Sequence, residues 1–182
     1  MQFNIKFRPL QLADAHFINN LRRLENMEKL IGGSIRPVSL ERDQKWVEDL
    51  IMKDDQSTVY YAITELENEE IIGYTSVSNI DYRNGTCFWS GIKLDQTKAG
   101  KGYGKQTALK LMQFVFDEMR MVRLAAECQE NHSIALNMML NVGYQKEGLM
   151  RKRLFKNGKS NNQWLLSVTD EDYVEIKKRN GL

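Results

Sequence analysis

The chain has 182 residues, 42% of them hydrophobic and 27% charged, and a formal net charge of +2. This reads as one globular domain over residues 1–182, able to bury roughly two-thirds of its unfolded surface. The even mixing of acids and bases points away from nucleic acid and membrane surfaces as partners, and no apolar run is long enough to cross a bilayer.

Lys6 and Arg8 stand where a signal peptide would carry its apolar core, so the expected location is the cytoplasm. A short strand is expected over 5–8, ended by Pro9. Residues 12–28 have helical periodicity, with Ala13, Phe17, Asn20, Leu21 and Leu24 on one face. After a turn-rich stretch at 32–39, Ser39 is a candidate N-cap for a second helix whose apolar stripe is Trp46, Val47, Leu50 and Ile51. Strands are expected over 58–66, 70–78 and 87–94, the last entered through the hairpin signal Asn84-Gly85. A long amphipathic helix follows over 106–119, with Ala108, Leu109, Met112, Val115, Phe116 and Met119 as its core face. Next come a strand over 123–128 and a helix over 133–142 closed by Gly143. Strands over 146–155 and 164–168 flank Asn157-Gly158, and a short tail helix over 171–178 ends the order. The fold class is α/β (α+β), a mixed central sheet of about seven strands flanked by helices. Cys87 and Cys128 sit singly in apolar runs and read as reduced core residues. His16 and His132 lie far apart in sequence, so no metal site is expected.

The stretch Lys98-Ala99-Gly100-Lys101-Gly102-Tyr103-Gly104-Lys105 joins a strand to the long helix. Glycines at alternate positions bare the backbone N–H groups, the helix start adds its positive dipole end, and the lysines add full charges. A phosphate-bearing ligand fits there. The spacing fails the Walker loop, GxxxxGK(S/T), because the sixth residue from Gly100 is Lys105 and from Gly102 is Thr107. It fails the dinucleotide fingerprint GxGxxG as well, since Thr107 stands at the third glycine and the loop does not follow the first strand. A plain helix entry needs only one cap residue.

Gly100-Lys101-Gly102-Tyr103-Gly104 on a strand–loop–helix resembles motif A of the GCN5-related N-acetyltransferases, whose pattern is (Q/R)xxGx(G/A). Phe7-Arg8-Pro9-Leu10 with Asp14 resembles the opening of the branch that contains ribosomal-protein-alanine and polyamine acetyltransferases. Ile72-Gly73-Tyr74 is similar to the strand before motif A, and the stretch from Phe116 to Leu124 to its helix-to-strand passage. Asn131 to Ser133, Gly143-Tyr144, Glu147-Gly148 and the hairpin at Phe155 to Lys159 extend the likeness over nearly the whole chain. Three positions depart from the pattern: Ala99 occupies the Gln/Arg slot, Met139 the place of a tyrosine general acid, and Asn162 that of an aspartate.

The resemblance implies direct acetyl transfer from acetyl-CoA, as cosubstrate, to a primary amine. The acceptor would be a small-molecule amine, such as a polyamine or an amino sugar, or a peptide N-terminus, and the family suggests a homodimer. It implies a splayed strand pair at the acetyl-CoA site. The pantetheine arm would lie along Gly91 to Leu94 with the thioester at Ile92 or Lys93, and Leu94 would complete that strand. The pyrophosphate would sit on Gly100, Lys101, Gly102, Tyr103, Gly104 and Lys105. Gly91 serves equally as a bulge. Asn131 would bond the pantetheine or cap the following helix.

An alkylamine is mostly protonated at neutral pH, so a carboxylate must take its proton. Glu127, an acid in the apolar run Leu124-Ala125-Ala126-Glu127-Cys128, is the candidate; the plainer reading is a solvent-facing alternation residue. Glu130 and Asp81 are weaker candidates. Trp46, Tyr82 and Trp89 would line the acceptor pocket, or belong to the core, and Glu25, Glu28, Glu41 and Asp81 would attract a cationic amine. Ala99 and Met139 suggest the alternative of a catalytically weak acyl-CoA-binding or regulatory domain.

Overall fold

The computed structural model describes residues 2–24, 37–53 and 56–182. Seven strands form one sheet in the order β1-β2-β3-β4-β5-β7-β6. They are β1 (Ile5–Arg8), β2 (Val59–Glu65), β3 (Ile71–Asp81), β4 (Thr86–Leu94), β5 (Arg123–Gln129), β6 (Gln145–Lys156) and β7 (Lys159–Thr169). Neighbours run antiparallel except β4 and β5, which are parallel. A parallel pair needs a crossover, and α3 (Tyr103–Met112) supplies it. The other helices among the described residues are α1 (Asp14–Arg22), α2 (Leu40–Met52), α4 (Ser133–Val142) and α5 (Asp170–Asn180).

Helices α1 and α2 cover one face of the sheet, packing Ile18, Leu21 and Val47 on Ala62 and Tyr74. Helices α3, α4 and α5 cover the other, where Leu109, Met112, Leu136 and Ile176 meet Cys87, Trp89, Leu124 and Leu166. Five of the six residues of the expected stripe of the long helix are buried, Met119 being only partly so. The α-helix itself starts earlier, at Tyr103, and gives way to a π-helical stretch over Gln113–Glu118.

The face of α1 is rotated from the one periodicity suggests. Ala13, Asn20 and Leu24 are exposed, whereas Asp14, Ala15, Ile18, Asn19 and Leu21 are buried. Hydrogen bonding makes this possible. Asp14 accepts both Arg8 guanidinium nitrogens at 2.7 and 2.8 Å, and Asn19 donates to Asp43 at 2.8 Å, so both polar groups are satisfied inside. The remainder of the expected first helix and the turn-rich stretch, up to residue 36, fall outside the described residues.

Ser39 caps α2, accepting from the Arg42 amide at 3.3 Å. Asn157 and Gly158 close the β6–β7 hairpin with φ of 52° and 74°, the two-residue turn that positive φ permits. Asn84-Gly85 belongs instead to a four-residue loop that Asp81 organises, its carboxylate accepting the amides of Arg83 and Asn84 at 3.0 Å.

Candidate active site

The parallel ladder runs only from Thr86↔Arg123 to Trp89↔Ala126. Beyond it β4 bulges: Thr75 pairs with Ile92 but Val77 with Trp89, so two residues of β4 oppose one of β3. Gly91, at φ 91°, takes the backbone angle that the bulge needs. Thr75 Oγ1 pins it, donating to the Gly91 carbonyl at 2.9 Å while accepting Trp89 Nε1 at 2.8 Å. The two strands therefore part, and a cleft of about 310 Å³ opens between residues 88–93 of β4 and 126–129 of β5. His132, Met138 and Met139 close one side, and Arg153, Leu154 and Gln163 another.

Ile92, Lys93 and Glu127 line this cleft together. Along β5, Leu124, Ala126 and Cys128 are buried against α3 and α4, so alternation turns Glu127 to the opposite face. The cleft is lined from both faces of the sheet, and the Glu127 side chain is 23% exposed, with Arg153 Nη2 at 3.5 Å from its Oε1. Lys93 lies on the α1–α2 face as well: it pairs with Tyr74, and its Nζ is 4.7 Å from the Tyr74 ring centroid. Burial, helped by the Arg22 charge, pulls the Lys93 pKa down to about 8.

Cys128 borders the cleft, but burial pushes its thiol up to about 11, so it is not a thiolate at neutral pH. Met139, 5% exposed, is part of the cleft wall and of the main core. Neither Leu94 nor Asn131 is in the cleft lining. Leu94 packs with Ile5, Ile63, Ile72 and Tyr103, and Asn131 is exposed in the turn before α4. No side chain caps α4, so Asn131 does not take the capping role.

The glycine loop enters α3 through Gly100 and Gly102, with φ of 83° and 74°. Left-handed residues alternating with an ordinary one turn amides toward one concavity at the helix start. Tyr103 fixes the loop to the end of β4: its ring packs with Ile92 and Leu94, and its hydroxyl donates to Glu65 at 2.7 Å. Glu65 also holds Lys98 at 3.1 Å and Lys101 at 3.5 Å. Tyr103 and Lys98 hold the Glu65 pKa down at about 2. Lys98 is thus committed to acids, whereas Lys105 is exposed with no acid partner among the described residues.

Other sequence candidates have structural duties. Asp81 holds its own turn, and Glu130 accepts Asn162 Nδ2 at 2.9 Å in the turn after β5. Trp89 is buried and stacks on Tyr144 at 5.9 Å, Trp46 packs from α2 onto Tyr60 and Tyr74 of the sheet, and Tyr82 is 58% exposed in the β3–β4 loop. Glu41 lies in the first turn of α2, and Glu25 and Glu28 fall outside the described residues. Arg153 has no sequence signal, because only the pairing of β5, β7 and β6 side by side brings it to Glu127. Among the described residues no group of three His, Cys, Asp or Glu side chains is placed to hold a metal ion.

Residues 4–145 match the family model described as acetyltransferase (GNAT) domain. The SPbeta prophage-derived uncharacterized N-acetyltransferase YokL of Bacillus subtilis (strain 168) is 24% identical over 172 residues, which is 93% of this chain and 92% of that protein. Among solved structures, spermidine N-acetyltransferase from Vibrio cholerae in complex with CoA and spermine superposes with a TM-score of 0.85 at 16% identity, over 94% of this chain and 98% of that one. A dodecameric structure of the spermidine N-acetyltransferase from the same organism, in an intermediate state, gives 0.78 at 17% identity, over 94% and 96%. At these identities the likeness to solved structures is one of fold.

Proposed function

This chain belongs to the acetyltransferase (GNAT) family and is an acyltransferase, and we propose that it passes an acetyl group from acetyl-CoA directly to a primary amine, with Glu127 as the base. The observation that carries this reading is the opening between β4 and β5, which holds Glu127 across from Ile92 and Lys93 and is tied through Tyr103 to the glycine loop.

The amides from Gly100 to Lys105 hold the pyrophosphate, with Lys101 and Lys105 adding charge. Beyond Trp89 the inner edge of β4 has no strand partner among the described residues, so the backbone of Gly91 to Leu94 takes the pantetheine as an added strand. An amide at Ile92 or Lys93 polarises the thioester carbonyl. Glu127 takes a proton from the amine, whose nitrogen attacks the carbonyl carbon; the C–S bond breaks and CoA leaves as thiolate. A thiol of pKa about 8.5 is a fair leaving group unassisted, so Met139 in place of an acid is tolerable. The buried neutral thiol of Cys128 favours direct transfer over an acyl-cysteine intermediate.

Polyamines, amino sugars and protein N-termini are the acceptor classes open to this reading. Self-association as a homodimer belongs to this reading, as does the cytoplasm, where two free buried cysteines stay reduced. The test is CoA release with an amine panel. Glu127→Gln is expected to lower kcat/KM about 100-fold while leaving CoA affinity within about twofold. A chain that binds CoA yet consumes acetyl-CoA with no amine overturns the assignment.

A further inference from the structure

The charged side chains lining the cleft are Lys93, Arg153 and Glu127. Arg153 stands at the long distance of 3.5 Å from Glu127, and no carboxylate among the described residues pairs with Lys93. The buried acid of α2, Asp43, is already held by Arg22 at 2.9 Å and by Asn19 at 2.8 Å, and Arg22 itself lies 4.6 Å over the Trp46 ring. Lys93 is thus a largely covered cation with a π face for company and a second cation, Arg22, close by. Burying a cation without a counter-ion costs free energy, and an incoming anion offsets that cost. At a pKa of about 8 the ammonium remains mostly charged at neutral pH.

Lys93 and Glu127 face the same side of the sheet, the side of α1 and α2, while Trp89 faces α3. The hairpin that carries Arg153 continues the pattern. Of residues 150–159, Arg151, Lys152, Arg153 and Lys159 are exposed cations, and the stretch has no acid. Such a hairpin steers anions toward the opening and repels polycations.

We propose that the acceptor is a primary amine that also carries an anionic group, a carboxylate or a phosphate, and that Lys93 Nζ pairs with that group while Glu127 receives the amine. This deepens the acetyl-transfer reading and rests on it. It separates the chain from the solved structure that holds spermine, a polycation. The main chain of Lys93 serves the thioester, and its side chain reads the acceptor.

The test uses amines matched but for the anion: β-alanine against propylamine, glucosamine 6-phosphate against glucosamine, and spermidine as the polycation. Binding to the CoA-saturated protein and kcat/KM for transfer are both measured. The anionic member of at least one pair is expected to exceed its neutral partner and spermidine about 10-fold or more. Which pair shows it distinguishes carboxylate from phosphate. Lys93→Met keeps the side-chain stem over Tyr74 and is expected to bring that preference to within about twofold. Equal binding of anionic and neutral amines, a preference for spermidine, or an unchanged preference in a folded Lys93→Met protein overturns the proposal. The wild-type panel decides it even if the variant fails to fold. If no amine is acetylated, the transfer reading fails, and the binding arm still decides the role of Lys93.

Discussion

The hydroxyl of Tyr144 is fully buried without a hydrogen-bond partner among the described residues, and burial raises its pKa well above that of a free tyrosine. It follows Gly143 and stacks on Trp89, so it is near the cleft floor in space but has no route for a proton. Tyr144→Phe is therefore expected to leave kcat unchanged and to alter stability by between zero and about +2 kcal/mol, since an unsatisfied buried hydroxyl is removed. Chemical denaturation and CoA release check this, and a large fall in kcat would give the hydroxyl the acid role that Met139 does not fill. At this scale the sequence is informative where a residue type is out of place. Glu127 stands out because an acid interrupts an apolar run. Arg153 does not, because its partner is 26 residues away and only strand pairing joins them. Glu65 is hidden for the same reason: its partners Lys98 and Tyr103 lie 33 and 38 positions later.

At the scale of elements, β4 decides most. Strict alternation from Trp89 would put Lys93 on the Trp89 face, toward α3. The bulge at Gly91 inserts one residue and reverses the parity, so Lys93 points to α1 and α2 instead. Periodicity does not reveal that reversal, although the glycine at position 91 marks where it occurs. The glycine loop is legible for the opposite reason, because its chemistry lies in consecutive residues. A Cβ at Gly102 would meet nothing within 4 Å, so substitution there acts through backbone angle alone. Gly102→Val is expected to destabilise the free protein by about 1–2 kcal/mol, the usual cost of a left-handed non-glycine residue. It is also expected to weaken CoA binding about 10-fold or more, read as a smaller CoA-induced rise in Tm. An unchanged CoA response would remove the pyrophosphate from this loop.

Across the whole molecule, the order of elements was readable because alternation, helical periodicity and turn residues are local signals, and each strand and helix after residue 56 begins and ends within a few positions of its expected place, apart from the N-terminal half of β7 and the π-helical end of the long helix. The pairing order and the single parallel contact are not local, and only the family resemblance anticipated the splay. Two carboxylates tie distant elements together. Glu65 joins β2 to the glycine loop, and Glu147 joins β6 to Arg123 on β5 and Ser167 on β7. The Tyr103 hydroxyl and Lys98 hold Glu65 at about 2, and Arg123 and Ser167 do the same for Glu147. Both folded-state values lie below the unfolded carboxylate range near 4.3, so their stabilisation is complete above that range and is lost as pH falls toward about 2. Thermal midpoints are expected to drop steadily from pH 5 to pH 2, with a shallower slope in Glu65→Gln measured by circular dichroism. A slope unchanged in that variant would assign the acid sensitivity elsewhere.

Among the described residues, the parallel ladder of Thr86–Trp89 with Arg123–Ala126 is the only strand pairing between the antiparallel group β1–β4 and the group β5–β7–β6. The molecule is in this sense two plates on one short joint, and the angle of the joint sets how far the plates stand apart at their open end. Cys87 and Leu124 face each other inside that joint, buried and away from the reacting groups. The gauge of the opening is thus set at two places, by the buried Cys87–Leu124 pair inside the joint and by the Gly91 bulge at its mouth.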